Sequence, residues 1–146
     1  MTRKVALMAT ARKKSKETAP VIEFYQSPLF KKSVQYALKN YDTLYFYNAK
    51  DGLLLPDTIM APYDVSIRTF SNQQRRKWGE KVIEAFCQYE KPDQIQLYLH
   101  GGNIYRKYLE PVLHERGFTF EVPLKGLGIG EQLKWYDEQM KTDPEE

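Results

Sequence analysis

Short apolar segments alternate with amphipathic ones along this chain, and that alternation constrains the fold more than any other feature. Residues 5–9 form an almost unbroken apolar run, which is typical of a β-strand that is buried on both faces. The first predicted strand spans residues 4–10, and further strand patterns follow at residues 43–47, 94–99 and 118–122. Helical patterns separate these strands, so the sequence predicts a mostly parallel sheet covered by helices on both faces.

Two of the helices have recognisable start signals. Ser27 and Pro28 pair an N-cap residue with a proline at the first helical position, and Ser71 and Gln74 have the spacing of a capping box. Pro111 is expected to kink or restart a later helix. The last helix is expected to bury a stripe formed by Ile129, Leu133, Tyr136 and Met140.

These elements predict one α/β domain. We expect a single three-layer α/β/α domain over residues 1–140, with a four-stranded, mostly parallel sheet. The expected strand order is 2-1-3-4, with strands numbered along the chain, because it places the most apolar strand centrally. Residues 141–146 are acidic, contain Pro144, and are expected to form a flexible tail.

The composition excludes several classes of protein. A chain of 146 residues with 42% hydrophobic residues can bury a core, which argues against a disordered protein. Its single cysteine, Cys87, excludes an internal disulfide and favours the reducing cytoplasm. No apolar run reaches the roughly 20 residues that a membrane span needs. With only two histidines, His100 and His114, no zinc site is expected, and no metal or other cofactor is predicted.

Ligand-binding residues are expected at the carboxyl ends of the strands. In open parallel sheets a ligand binds where the strand order reverses, here between the first and third predicted strands. Basic residues follow the first strand and could pair with phosphate, and a diglycine precedes a helix N-terminus that favours an anion. The candidate ligand-binding residues are Arg12, Lys13, Lys14, Lys50, Gly52, Tyr63, Gly101, Gly102, Tyr105, Gly126 and Gly128.

Each of these patterns also has a purely structural interpretation. The basic residues are equally consistent with a solvated loop, and the glycines with tight turns or close helix–sheet packing. The segment from Gly126 to Gly130 has neither the spacing of a dinucleotide fingerprint nor the ending of a phosphate loop. The sequence alone therefore leaves both interpretations open.

Three residues are candidates for catalysis. Asp57 and Asp64 lie in a long central loop, where a carboxylate could activate water or stabilise positive charge on a sugar. Both aspartates could instead hold turns through hydrogen bonds to the backbone. His100, at the end of the third predicted strand, is the better placed of the two histidines to act as an acid, a base or a ligand contact.

Several motifs resemble a little-characterised bacterial and phage family of unknown function. They are KVAL at residues 4–7, YQSPLF at 25–30, AKDGLLLPDT at 49–58, PYD at 62–64 and GLGIGEQLKW at 126–135. The resemblance covers nearly the whole chain and identifies a family without identifying a reaction.

The central loop also resembles a segment of archaeosine synthase and of related deazaguanine-handling proteins. Their corresponding domain is similar to the uracil-DNA glycosylases, which implies an α/β fold with a parallel sheet and a ligand related to a nucleobase. This resemblance rests on Gly52, Pro62, Tyr63 and Asp64, with Lys50 and Asp57 added from the closer family. The chain lacks the Gly-Gln-Asp-Pro-Tyr-His and His-Pro-Ser-Pro segments of the glycosylases.

Three functions are consistent with these features. The favoured one is a protein, enzyme or former enzyme, that handles a nucleoside, nucleotide or modified base at the carboxyl edge of the sheet. The second is a non-catalytic, phage-type binder that sequesters a nucleotide or inhibits a partner protein. The third is a nucleic-acid-binding protein that uses the basic N-terminal segment, although a net charge of +3 is too small to indicate this alone. All three are cytoplasmic, and none involves a membrane.

Overall fold

A central strand, β1 (Arg3–Ala9), organises the sheet. The computed structural model describes residues 2–12 and 14–141. β1 pairs in parallel with β3 (Thr43–Asn48) on one side and with β6 (Ile95–His100) on the other. Because β1 has neighbours along both edges and helices over both faces, Val5, Ala6, Leu7 and Met8 are fully buried. The apolar run in the sequence is therefore explained by a strand with no solvent-facing side.

The sheet has five strands in the order β4-β3-β1-β6-β7. β7 (Phe120–Glu121) pairs in parallel with β6, and β4 (Gly52–Leu54) pairs antiparallel with β3. The prediction of a four-stranded sheet was wrong in strand count and therefore in order. Gly52 adopts a φ of 79°, which reverses the chain after β3 and brings Leu54 opposite Phe46. The α/β class and the mostly parallel sheet are confirmed.

Helices cover both faces of this sheet. α3 (Asn72–Phe86) and α4 (Asn103–Glu115) pack over one face, whereas α2 (Pro28–Asn40) and α5 (Ile129–Lys141) lie over the other. Alternate β1 side chains point to opposite faces, so Val5 and Leu7 enter the first core and Ala6 and Met8 the second. A single strand thus contributes to both hydrophobic cores.

The predicted helix starts are confirmed. The Ser27 hydroxyl accepts a hydrogen bond from the Phe30 amide at 3.1 Å, and Pro28 is the first residue of α2. Ser71 and Gln74 form both hydrogen bonds of a capping box at the start of α3. α4 continues through Pro111 and does not restart there.

The buried stripe predicted for α5 was wrong at three of its four positions. Only Tyr136 is buried, whereas Ile129 is 69% exposed and Leu133 and Met140 are partly exposed. α5 packs mainly on α2, where Trp135 and Tyr136 contact Tyr36, instead of laying an apolar stripe on the sheet. Residue 141 is the last of α5, and residues 142–146 of the predicted tail lie outside the described residues.

A small accessory ladder sits beside the central sheet. β2 (Ala19–Pro20) pairs antiparallel with β5 (Ile59–Met60), and a single helical turn, α1 (Val21–Phe24), follows β2. An isolated bridge joins Lys14 to Tyr25. These contacts hold the segment after β1 against the loop after β4, and both segments contribute to the candidate site. None of the helices in residues 2–12 and 14–141 is long and apolar enough to cross a membrane.

Candidate ligand-binding site

A cleft of about 480 Å³, here called the rim cleft, opens at the carboxyl ends of β1 and β3. The end of each strand, the segment at residues 63–68 and the first turn of α4 form its walls. The side chains that define its chemistry are Arg12, Lys14, Asn48, Tyr63, Arg68 and Tyr105. Because parallel strands end at the same edge, the fold gathers these loop residues into one place.

Positive charge dominates the rim cleft. Arg12, Lys14 and Arg68 line it, and none of the three forms an ion pair with any residue that the structure describes. Lys14 Nζ donates to the Arg12 backbone carbonyl at 3.0 Å, which ties the ammonium to the segment that carries Arg12. Asp64 is the only carboxylate of the described lining. The cleft therefore has an excess of cations that an anionic ligand would neutralise.

Arg68 is placed by the turn that contains it. A single 3₁₀ turn, Ile67–Thr69, buries Ile67 in the core, and the Ser66 hydroxyl accepts a hydrogen bond from the Arg68 amide at 3.2 Å. The guanidinium of Arg75 donates to the carbonyls of Ile67 and Arg68 at 3.1 and 3.3 Å. These contacts fix the backbone, so that the exposed Arg68 side chain remains at the cleft.

A partly buried hydrogen-bond network holds Tyr63 at the rim cleft. The Tyr63 hydroxyl lies 2.6 Å from the Tyr25 hydroxyl and accepts a hydrogen bond from Asn48 Nδ2 at 3.1 Å. Asn48 Nδ2 also donates to Asp51 Oδ2 at 3.2 Å, and the Asp51 amide donates back to Asn48 Oδ1 at 2.6 Å. Burial raises the pKa of Tyr63 above its usual value, so this hydroxyl stays protonated. The network fixes the Tyr63 ring.

The Tyr63 ring in turn holds two lysines. The Nζ atoms of Lys14 and Lys50 lie 4.6 and 5.5 Å from the ring centroid, within the range of cation–π attraction. Lys50 does not itself line the rim cleft but adjoins it through Tyr63. The aromatic ring thus keeps positive charge at the edge of the cleft.

Tyr105, in the first turn of α4, lines the cleft and packs against the core. Its ring packs against Tyr47 and Trp78, with centroids 5.4 and 5.6 Å away. Burial raises the pKa of Tyr105, while the positive charges of Arg68 and Arg12 act in the opposite direction. The Tyr105 hydroxyl is therefore within electrostatic reach of both guanidinium groups.

His100 lies at a second, smaller pocket of about 220 Å³, here called the neutral pocket. Leu29, Phe30, His100, Tyr105 and Tyr136 are among the residues that line it. His100 Nε2 is 2.7 Å from the Tyr41 hydroxyl, and Nδ1 is 2.8 Å from the Tyr136 hydroxyl. Burial lowers the pKa of His100 to about 4, so the ring is neutral at neutral pH.

Close packing requires a glycine at position 101, the first residue of the Gly101–Gly102 pair. A Cβ on Gly101 would lie 2.0 Å from the Tyr47 hydroxyl oxygen, so only glycine fits there. Gly102 is the N-cap of α4, and a Cβ at this position would meet no atom within 4 Å. Both glycines line the neutral pocket and not the rim cleft.

The structure brings together only part of the predicted site. Arg12, Lys14, Tyr63, Asp64 and Tyr105 line the rim cleft. Asp57 is exposed in the turn after β4, Gly52 is the first residue of β4, and Gly126 and Gly128 line neither cavity. Lys13 lies outside the described residues. The functional roles of all these residues stay predictions.

Asn48, Arg68 and Tyr25 contribute to the site without having been predicted. Asn48 carried a signal, because a buried amide at the end of an apolar strand needs hydrogen-bond partners. No local pattern in the sequence indicated Arg68 or Tyr25, since their positions depend on how distant loops pack. No group of three or more His, Cys, Asp or Glu in the described parts of the chain is arranged to hold a metal ion.

Fold and site together define an α/β protein with an open, mostly parallel sheet and a positively charged cleft at its carboxyl edge. Residues 5–138 match the family of unknown function DUF6884, and the chain belongs to this family. The predicted membership in a family of unknown function is thereby confirmed. No protein of curated function and no solved structure matches the chain.

Proposed function

We propose that this protein handles a nucleoside, nucleotide or modified base, and that it binds a phosphorylated form of that ligand in the rim cleft. The observation that carries the proposal is the group formed by Arg12, Lys14 and Arg68, which no described carboxylate neutralises through an ion pair. Guanidinium and ammonium groups are the side chains that pair best with phosphate oxygens. The edge of the sheet at which they converge is where open α/β folds bind ligands.

The cleft is suited to a larger ligand than a free anion. Its volume of about 480 Å³ lies within the range of small-molecule sites. Tyr63 and Tyr105 add aromatic side chains, and the hydrogen bond from Asn48 holds Tyr63 in place. The resemblance of the central loop to deazaguanine-handling proteins supports a base-containing ligand and stays a prediction.

A catalytic role would fall to Asp64. It is the only predicted catalytic residue in the rim cleft, because Asp57 lies outside and both nitrogens of His100 contact tyrosine hydroxyls. This sparse set favours the second candidate function, a binder that sequesters a nucleotide without turnover. Mass spectrometry of products, comparing wild type with Asp64→Asn, separates the two. Loss of product in the variant supports an enzyme, and absence of product from wild type supports the binder.

The ligand is first sought by mass spectrometry of small molecules retained by the purified protein. Calorimetric titrations with AMP, GMP, CMP and UMP then test binding directly. We expect Arg68→Ala to weaken nucleotide binding by about tenfold or more, because a charge-assisted hydrogen bond to phosphate is lost. Arg76→Ala is the matched control, since Arg76 is an exposed arginine of α3 that does not line the rim cleft.

Three outcomes contradict the proposal. They are no binding of any of the four nucleotides, no change in affinity with Arg68→Ala, and an equal change with Arg76→Ala. Binding of single-stranded DNA or RNA that weakens steeply with salt, in place of nucleotide binding, would favour the nucleic-acid alternative.

A further inference from the structure

The neutral pocket occupies the point at which the strand order reverses. Ala9 and His100, the last residues of β1 and β6, both line it. The strand that follows β1 in this sheet, β3, pairs with one edge of β1. The later strand β6 pairs with the other edge. Ligands of open α/β sheets bind at this position. The pocket therefore lies where folds of this class bind ligands.

The chemistry of the neutral pocket differs from that of the rim cleft. None of the described residues that line it is Lys, Arg, Asp or Glu. Leu29 and Phe30 of α2 give it apolar walls, and the tyrosine hydroxyls that contact His100 satisfy both nitrogens of its ring. A cavity of this kind accommodates an uncharged group, whereas a phosphate would find no cationic side chain among the described lining residues.

Two features of α5 point to an occupant. Ile129 lines the pocket and is 69% exposed, so a ligand that covers it removes apolar surface from water. Gln132 also lines the pocket, and its Nε2 donates to the Leu127 carbonyl at 2.9 Å, which leaves its side-chain oxygen as an acceptor. An apolar wall with a few polar groups is typical of sites that orient a small ring.

The two cavities are contiguous. Thr10, Ala11 and Tyr105 line both of them. The Tyr105 hydroxyl makes no hydrogen bond with any residue in the described ranges, 2–12 and 14–141, so it is free to bond to a ligand at the junction. The combined site has a cationic end and an uncharged end.

We infer that one ligand spans both cavities, with its phosphate among Arg12, Lys14 and Arg68 and its uncharged ring in the neutral pocket. The sugar of a nucleoside monophosphate lies between them, beside Thr10 and Tyr105. This inference rests on the proposed function and extends it, because it assigns the base to a separate subsite lined by α2 and α5.

Gly102 lines the neutral pocket, and its backbone accepts a side chain without strain. Its φ of −74° suits any residue, and no atom lies within 4 Å of the position that a Cβ would take. Gly102→Leu therefore adds a side chain at the pocket while leaving the packing of α4 unchanged. Gly130→Leu is the matched control, because Gly130 is exposed, has equally open surroundings and lines neither cavity.

The test compares calorimetric affinities for AMP, GMP, CMP and UMP with the affinity for ribose 5-phosphate, which has the same phosphate and no base. We expect Gly102→Leu to weaken binding of the preferred nucleotide by about tenfold or more, since the ring loses its apolar contacts. Ribose 5-phosphate affinity should stay unchanged in Gly102→Leu and fall in Arg68→Ala. Gly130→Leu should bind both probes like wild type.

The failures of the two proposals are distinguishable. If Arg68→Ala weakens nucleotide binding but Gly102→Leu does not, the base does not enter the neutral pocket and the inference is overturned while the rim cleft stands. The inference is also overturned if Gly102→Leu weakens both probes equally, or if Gly130→Leu has the same effect. If neither probe binds to wild type, the proposed function and the inference fail together.

Discussion

At the scale of single residues, His100 shows how burial changes the chemistry expected from a position. The sequence places it at the end of a strand, where a histidine is a reasonable acid or base. The structure surrounds it with Tyr41 and Tyr136, which contact its nitrogens, and with the ring of Tyr36. This environment favours the neutral ring, so protonation of His100 lowers the free energy of unfolding.

We predict that His100 makes the protein less stable in mild acid. Its pKa is lowered to about 4 in the folded state from the 6.5 of an unperturbed histidine. The unfolded chain therefore binds more protons between these values, and stability falls as pH falls through this window. Between about pH 7 and pH 5 the expected contribution of His100 is a loss of about 2 kcal/mol in the free energy of unfolding.

Urea unfolding of wild type and His100→Gln at several pH values measures this contribution. The variant should be less stable at neutral pH, because it loses hydrogen bonds to Tyr41 and Tyr136, but its free energy of unfolding should depend less on pH across this window. Equal pH dependence in the two proteins would mean that His100 carries no such penalty.

Residues of the site were predictable where they follow a strand or start a helix, and Tyr63 and Asp64 were predicted from the long central loop. Arg12, Lys14 and Tyr105 lie next to strands or a helix start, and they reach the rim cleft. Arg68 reaches it through a 3₁₀ turn whose position depends on the burial of Ile67 and on hydrogen bonds from Arg75. Such contacts join segments by tertiary packing, and no local pattern in the sequence encodes them.

At the scale of elements, the sequence predicted the parallel strands and the capped helices because hydrophobic period and cap chemistry are local signals. The edge strand β4 was missed because three residues are too few to show a period, and a glycine turn produces it. The stripe on α5 was mispredicted because aromatic contacts with α2 bury only one side chain of that pattern.

The contact between α3 and α4 gives a prediction at this scale. A Cβ on Gly79 of α3 would lie 2.1 Å from the Tyr108 carbonyl oxygen of α4. Alanine normally favours a helix over glycine by about 1 kcal/mol, yet here it must push the two helices apart. We expect Gly79→Ala to lower the free energy of unfolding by about 1–3 kcal/mol in urea titrations.

Gly130→Ala in α5 is the control for Gly79→Ala. Gly130 is exposed, and no atom lies within 4 Å of the position that its Cβ would take. This variant should be neutral or more stable than wild type by up to about 1 kcal/mol. Destabilisation of both variants by the same amount would contradict the role of helix contact at Gly79.

At the scale of the whole molecule, β1 links the two hydrophobic cores. Val5 and Leu7 pack with one helical layer and Ala6 and Met8 with the other, so loss of either layer exposes the central strand. We therefore predict that both faces unfold in one cooperative transition.

The two tryptophans test this cooperativity because they lie on opposite faces. Trp78 of α3 is buried in the core that α3 and α4 cover, and Trp135 of α5 contacts Tyr36 of α2. In the Trp135→Phe variant the fluorescence of Trp78 should have the same urea midpoint as the far-UV circular dichroism, and the same should hold for Trp135 in Trp78→Phe. An earlier transition of Trp135 would show that the α2–α5 layer unfolds separately.

The buried tyrosine hydroxyls have an optical consequence for the molecule. Burial raises the pKa values of Tyr41, Tyr47 and Tyr63, so these side chains remain protonated in the folded protein at a pH where free tyrosine ionises. The stability that they contribute is complete below about pH 10 and is lost as the pH rises further, because only the unfolded chain can release these protons. In an alkaline titration the tyrosinate absorbance of these residues therefore rises together with unfolding. This part of the absorbance change measures the unfolded fraction without an added probe.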